Sequence, residues 1–379
     1  MKKIDVTNPF VLQPYVSKDL FCDRVSEMNN LISHVANGSN VTLISIRRIG
    51  KTGLIMRAFD ELRSKKWGYV TIYADIYATN CLEDFIRTLA EAVVSQCSES
   101  GIKRFISSLG GLRPLLSYDP ISGQPQLSIA YQTESQKMTT LQSIFSYLEG
   151  LGKKVVVAID EFQQIREYEN VKMEALLRSY IQNTKNVRFI FSGSRKHTMT
   201  DMFDSQRAPF YQSSVNIPLG KIDPAIYGDF IREKFRNGGK SISEDAVGFI
   251  LEWSRCHTFY TQRLCNEVYA SSSEDAGMED VYAAIENIFL SEKDKFFTIR
   301  GMLTKGQWRY LTAVAKEGTL KQPTSGAFLN KYNLGTPASS KRTLSSLIDK
   351  ELIMDTDTEN GHQYSVYNIF LSRWLESAN

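Results

Sequence analysis

Five short apolar runs rich in β-branched residues recur along the first 220 positions: Val41 to Ile46, Tyr69 to Ala74, Val155 to Ile159, Val187 to Phe191 and Val215 to Leu219. Their apolar character is continuous rather than alternating, which suits strands buried on both faces, and helical patterns separate them. The order predicts an α/β domain with a five-stranded, mostly parallel sheet and helices on both faces. The gap between the second and third runs is too long for one crossover. Inside it, residues 113–131 read as a hairpin: Leu115 to Tyr118 and Gln126 to Tyr131 flank a proline–glycine turn that begins at Asp119. Such an insertion serves either as a lid or contact surface, or as decoration.

Beyond Leu219 the pattern turns helical, with Pro224 near one helix start and an amphipathic stretch from Glu244 to Trp253. This predicts a helical domain over 221–299. Residues 300–379 read as three helices and then a hairpin, punctuated by Gly318, Gly335 and Asn360-Gly361. A winged helix uses that order. Thr336 and Pro337 cap its third helix, Leu344, Leu347 and Ile348 fall at helical spacing, and Leu352 to Thr356 with Tyr364 to Tyr367 form the wing. The expected domains are therefore 1–220, 221–299 and 300–379.

Composition adds bounds more than content. A chain of 379 residues, 42% hydrophobic and 23% charged, fits a soluble protein of several domains. A net charge of +3 excludes a strongly basic nucleic-acid coat but allows a local basic face. The five cysteines lack metal-ligand spacing, no apolar core follows Lys2 and Lys3, and no run reaches membrane-spanning length. A reduced, cytoplasmic setting with no membrane partner is expected.

The sharpest chemistry is Ser45-Ile-Arg-Arg-Ile-Gly50-Lys51-Thr52, lying between an apolar strand and the helical pattern Leu54 to Leu62. A loop at a helix start turns several N–H groups inward, and the helix dipole adds to them, so a polyphosphate can be wrapped. Gly50 permits close approach, Lys51 reaches the outer phosphates, and the Thr52 hydroxyl is placed to ligate Mg²⁺. Ser45 replaces the first glycine of G-x-x-x-x-G-K-[ST], and a fortuitous Gly-Lys-Thr is the alternative. A second part, Lys153-Lys-Val-Val-Val-Ala-Ile-Asp160-Glu161, is a strand ending in two acids. Asp160 there orients the cation and Glu161 polarises the attacking water, unless the pair merely caps a helix. Ser192-Gly-Ser194-Arg195 ends the fourth strand and is placed either to sense the γ-phosphate or to cap.

Taken together these residues resemble the P-loop ATPases of the AAA+ and STAND group, specifically bacterial and archaeal ATPases with a carboxy-terminal winged helix. The resemblance covers nearly the whole chain. It implies ATP and Mg²⁺ as ligands, with Thr52 and Asp160 at the metal and Glu161, Asp160, Lys51 and Ser194 in catalysis. Nucleotide contacts fall on Arg48, Ile49, Gly50, Lys51, Thr52 and Gly53. In the family box F-x-G-R-x-x-E, here Phe21-Cys-Asp-Arg24-Val-Ser-Glu27, Asp23 replaces the glycine. Arg24 then flanks the adenine or is a surface ion pair. The lid segment Cys256 to Cys265 lacks the family's Gly-x-Pro turn and offers His257 as a sensor or as a packed core residue. Arg207, between the fourth and fifth strands, suits either a finger for a neighbouring subunit or a solvated loop.

For the winged helix, Ser339, Ser340, Lys341 and Arg342 are expected at the exposed start of the recognition helix. Residues 300–379 hold ten Lys and Arg against seven Asp and Glu, and Asp355, Asp357 and Glu359 on the wing oppose phosphates. DNA or a partner protein both remain as occupants. The expectation is a slow ATPase whose nucleotide state moves a lid and a winged helix. Its rivals are a scaffold with negligible turnover and a nucleotide-controlled DNA-binding regulator.

Overall fold

Each of the five apolar runs becomes a strand. In the computed structural model, which describes residues 8–64, 66–109, 114–169, 171–358 and 361–377, the chain divides into two compact units, 13–222 and 223–379, the latter joined by the leading residues up to Leu12. The first unit runs α1 (Val25–Ala36), β1 (Val41–Ile44), α2 (Lys51–Arg63), β2 (Val70–Asp75), α3 (Leu82–Val94), α4 (Glu99–Ser108), β3 (Leu115–Tyr118), β4 (Pro125–Ser128) and α5 (Glu134–Glu149). It continues through β5 (Val155–Asp160), α6 (Met173–Ile181), β6 (Val187–Gly193), α7 (Lys196–Phe203) and β7 (Val215–Asn216).

The sheet order is β2-β5-β6-β1-β7, and every pair is parallel. All six residues of β5 are buried, because successive side chains enter different cores. Val155, Val157 and Ile159 join Phe189, Phe191 and the apolar faces of α3 and α5. Val156 and Ala158 join Val41, Leu43 and residues of α1 and α2 such as Leu31, Leu54 and Phe59. Burying one such side chain contributes about 1.5–3 kcal/mol, so continuous apolar strands are what this two-faced sheet demands.

The strand ends differ from the apolar runs in a way that matters. β1 stops at Ile44 so that Ser45–Gly50 can leave the sheet as a loop, while β2, β5 and β6 extend to Asp75, Asp160 and Gly193. The hairpin of β3 and β4 is antiparallel, and it is anchored by buried Leu127, whose N–H donates to Glu91 Oε1 at 2.8 Å. β4 ends at Ser128, three residues earlier than its pattern suggests, since Ile129 and Tyr131 pack against the core without pairing. Arg113, the expected hairpin start, lies outside the described residues.

The second unit contains α8 (Pro224–Asn237), β8 (Ser241–Ile242), α9 (Glu244–Trp253), α10 (Thr258–Ser271), β9 (Asp275–Ala276) and α11 (Met278–Gly301). Then follow α12 (Lys305–Glu317), α13 (Gly326–Tyr332), α14 (Pro337–Asp349), β10 (Ile353–Thr358), β11 (Gly361–Val366) and α15 (Ile369–Ser377). Caps fix the starts. The Asp223 carboxylate accepts from Ala225 and Ile226 N–H with Pro224 in the first turn, and Thr336 accepts from Ser339 N–H ahead of α14. The wing register pairs Thr358 with Gly361; the turn residues Glu359 and Asn360 are outside the described set.

Two expectations for this unit need correction. Ser340 is buried (1% exposed) and donates to the Leu334 carbonyl, so it cannot read a groove; it lies four residues before Leu344 and seven before Leu347, on the face that packs inward. Ser339, Lys341 and Arg342 are exposed, although the Ser339 hydroxyl is spent on the Thr336 carbonyl. The pattern also gave no sign of α15. That helix is tied to the end of α9 and the turn after it: Arg255 donates to Ser372 Oγ and Glu376 Oε1, both at 3.1 Å, and Arg373 Nε donates to the Trp253 carbonyl at 3.0 Å.

Candidate nucleotide site

β1 delivers the chain into a loop whose last bend requires glycine: Gly50 has φ 107° immediately before α2 begins at Lys51. Arg48 is also left-handed, at φ 61°. Ser45 is not in the left-handed region, so its side chain is no obstacle at the first glycine position; it is buried, and its N–H meets the Gly193 carbonyl at 3.5 Å. Leu54, Ala58 and Leu62 repeat along one face of α2 and bury it, which fixes where the loop sits.

Lys51 is 6% exposed, and its ammonium donates to the carbonyls of Ser45 (3.0 Å) and Ile46 (3.1 Å). Burial pushes its pKa down to about 8, against the carboxylates of Glu161 and Asp160, which hold it up. Thr52 Oγ1 donates to Asp160 Oδ2 at 2.7 Å, and the Tyr73 phenol donates to the same oxygen at 2.8 Å. Asp160 Oδ1 accepts the N–H of Glu161 at 3.0 Å. Glu161 is itself left-handed (φ 55°) and opens a 3₁₀ turn, Phe162–Glu167. Its Oε2 accepts from Ser194 Oγ at 2.8 Å and from Gln163 Nε2, while Arg47 Nε donates to Ser194 Oγ at 3.3 Å.

The carboxylates do not lie on a strand adjoining β1, because β6 stands between β5 and β1. Thr52 nevertheless reaches Asp160 across the end of β6, and Ser194 follows that strand directly. Asp75 pairs in register with Asp160 and adds a third acid. Burial raises its pKa, with Asp160 and Glu161 adding to the rise and the Tyr77 N–H opposing it. Hydroxyl and carboxylate oxygens are the donors a hard cation such as Mg²⁺ takes. Among the described residues no group of three or more His, Cys, Asp or Glu could hold a metal by itself, so an ion beside Thr52 and Asp160 needs further oxygens of the kind phosphates and water provide.

The remaining expected residues fall into separate groups. Arg24 is no surface ion pair: at 3% exposure it donates to Glu27 Oε1 (2.8 Å), the Ile49 carbonyl (3.3 Å) and the Gly220 carbonyl (2.6 Å), bracing the Ser45–Gly50 loop against the chain beyond β7. Asp23 at the family's glycine position has φ 55°, a conformation that glycine takes freely and aspartate tolerates. Gly53 is fixed by packing, since a Cβ would stand 2.5 Å from the Pro14 carbonyl. Ile49 is buried and Arg48 exposed beside it. Arg195 pairs with Glu167 at 2.7 Å. Arg207 is exposed in the first unit. His257 belongs to the second unit, buried against Tyr260 after the left-handed pair Arg255 and Cys256.

Sequence reasoning missed Tyr73, Asp75, Gln163 and Gly193. A Cβ on Gly193 would come within 2.5 Å of Gln163 Oε1 and of Met199 Cγ and Sδ. Gly193→Ala is expected to destabilise the protein by about 1–3 kcal/mol and to displace Gln163 from Glu161; a thermal melt and a turnover assay on the same sample check both. Lys51 gives a pH prediction. A polyphosphate binds the ammonium form, so binding must draw in a proton wherever the free amine is partly neutral. Proton uptake on ATP binding, read by calorimetry in buffers of different ionisation enthalpy, should be small at pH 6.5 and grow through pH 8, with affinity falling above that pH.

Residues 36–198 match the family model of an AAA domain, and residues 294–377 match that of a probable winged helix domain. The chain thus carries an AAA domain followed by a winged helix domain, each match covering less than half of the chain's length. The AAA domain match spans the phosphate loop, Asp160, Glu161 and Ser194, and leaves Arg24 outside. The same architecture recurs in the Walker-type ATPase PABY2304 of Pyrococcus abyssi, at 18% identity and TM-score 0.67, covering 97% of this chain and 99% of that one. It recurs in the ORC2 protein of Aeropyrum pernix with ADPNP and ADP, at 12% identity and TM-score 0.60, over 97% and 95% of the two chains. The Aeropyrum pernix ORC1 protein in complex with DNA gives 14% identity and TM-score 0.52, over 99% and 98%. No curated protein matches the chain. At these identities the likeness concerns the fold of the AAA and winged helix domains.

Proposed function

We propose that this protein binds ATP with Mg²⁺ and hydrolyses it slowly, as an AAA+/STAND-type ATPase of the cytoplasm that couples nucleotide state to its winged helix. The observation that carries the proposal is the 2.7 Å hydrogen bond from Thr52 to Asp160, with Glu161 next in the chain and bonded to Ser194. The loop amides and Lys51 bind the triphosphate, the ammonium exchanging the carbonyls of Ser45 and Ile46 for phosphate oxygens. Thr52 and Asp160 hold the cation, which when bound offsets charge on the phosphates. Glu161 takes a proton from water as the water oxygen bonds to the γ-phosphorus; the bond to the bridging oxygen breaks, leaving ADP and inorganic phosphate. Ser194 and Arg47 hold the Glu161 carboxylate in place meanwhile. Arg207 and His257 are proposed as accessory residues, Arg207 serving a neighbouring subunit if the protein assembles.

Steady-state phosphate release by the full chain tests this reading. Turnover that requires Mg²⁺ and stops in EDTA supports it; ATP binding without measurable release favours the scaffold instead. A second reading, duplex-DNA binding controlled by nucleotide, draws on the exposed Lys341 and Arg342 of α14. Asp355 on the wing lies within hydrogen-bonding distance of His362 Nδ1, at 2.8 Å. Duplex affinity should then fall with rising salt and fall further in Lys341→Ala. No helix among the described residues is long and apolar enough to cross a membrane.

A further inference from the structure

Where α11 ends and α12 begins, a cavity of about 670 Å³ is lined by Phe297, Arg300, Leu303, Lys305, Trp308 and Arg309, with no acid among its described lining residues. Phe297 is 50% exposed. Arg300 lies over the Trp308 ring, 5.1 Å from its centroid, and Trp374 supports both aromatics from behind, at 6.0 Å from Phe297 and 6.2 Å from Trp308. Arg309 is held at the rim by the carbonyls of Tyr332 (3.3 Å) and Asn333 (2.7 Å). Among the described residues neither Arg300 nor Lys305 makes an ion pair. Three cations with no carboxylate among the described residues lining the cleft attract a polyanion, and an exposed ring beside a guanidinium-covered indole offers it flat surfaces.

That combination selects among anionic partners. A duplex keeps its bases stacked inside and leaves the rings uncovered. An acidic peptide satisfies the cations but not the aromatic faces. We infer that this cleft binds single-stranded nucleic acid, an unpaired base lying against Phe297 and the Trp308–Arg300 pair while flanking phosphates meet Lys305 and Arg309. The cleft is built from α11 and α12, apart from Lys341 and Arg342 on α14, and owes nothing to the nucleotide reading of the first unit.

Fluorescence anisotropy of a labelled oligothymidine with the full chain, across a salt series, tests the inference. Lys305→Glu combined with Arg309→Glu should weaken binding at least about tenfold and flatten the slope of log affinity against log salt by about 1.4, the value for two single-strand phosphate contacts. Phe297→Ala, at an exposed position, should weaken binding about five- to tenfold with the slope unchanged. Should the charge-reversed protein fail to fold by circular dichroism, Phe297→Ala decides alone. Oligothymidine bound equally by wild type and Phe297→Ala overturns the inference. So does a preference for duplex DNA or polyglutamate over oligothymidine.

Discussion

Lys51→Ala is expected to lower ATP affinity about tenfold to a hundredfold, because a charge-assisted hydrogen bond to phosphate contributes about 1.5–3 kcal/mol. Isothermal calorimetry with ATP and Mg²⁺ measures it. The same substitution should leave thermal stability nearly unchanged. In the ligand-free protein the ammonium is buried, and its desolvation outweighs the help of Asp160 and Glu161 enough to depress its pKa to about 8. Truncation therefore removes a strained charge together with its bonds to two loop carbonyls. Loss of affinity without loss of fold distinguishes a phosphate-binding lysine from one that merely closes the loop.

Glu161→Gln should do the opposite: phosphate release falls about 10²- to 10⁴-fold, the span for removing a general base, while ATP affinity stays within about twofold. Glutamine preserves the volume and still offers an oxygen to Ser194 and Gln163, so the arrangement that carries Arg47, Ser194 and residue 161 survives. Only the ability to take a proton is lost. Rapid-quench and steady-state assays on the variant separate this outcome from a binding defect, which would raise KM first.

Much of this was legible in local pattern. Strands buried on both faces announce themselves by continuous apolar runs, and Gly50-Lys51-Thr52 and Asp160-Glu161 each stand where such a run ends. What pattern could not reveal is set by register and packing between distant segments. Asp75 matters because β2 pairs in parallel with β5 and brings it level with Asp160, and Tyr73 because its phenol crosses to the same carboxylate. Nothing within the stretch Tyr69–Ile76 marks either one. In Ser192-Gly193-Ser194-Arg195 the hydroxyls and the guanidinium carry the pattern, yet the need for a bare Cα at Gly193 comes from Gln163 and Met199 closing over it. For Arg24 the sequence leaves open an adenine contact or a surface ion pair, and its burial with bonds to the Ile49 and Gly220 carbonyls removes the second. Ser340 differs from these: its spacing from Leu344 and Leu347 by itself puts it on the inward face of α14, beside the exposed Lys341 and Arg342.

The most direct test is a crystal structure of the full chain with a non-hydrolysable ATP analogue and Mg²⁺. It should show the Lys51 ammonium moved off the Ser45 and Ile46 carbonyls onto β- and γ-phosphate oxygens, with the ion beside Thr52 and Asp160. A nucleotide bound elsewhere, or one bound in the loop with Lys51 still on its two carbonyls, would contradict the account.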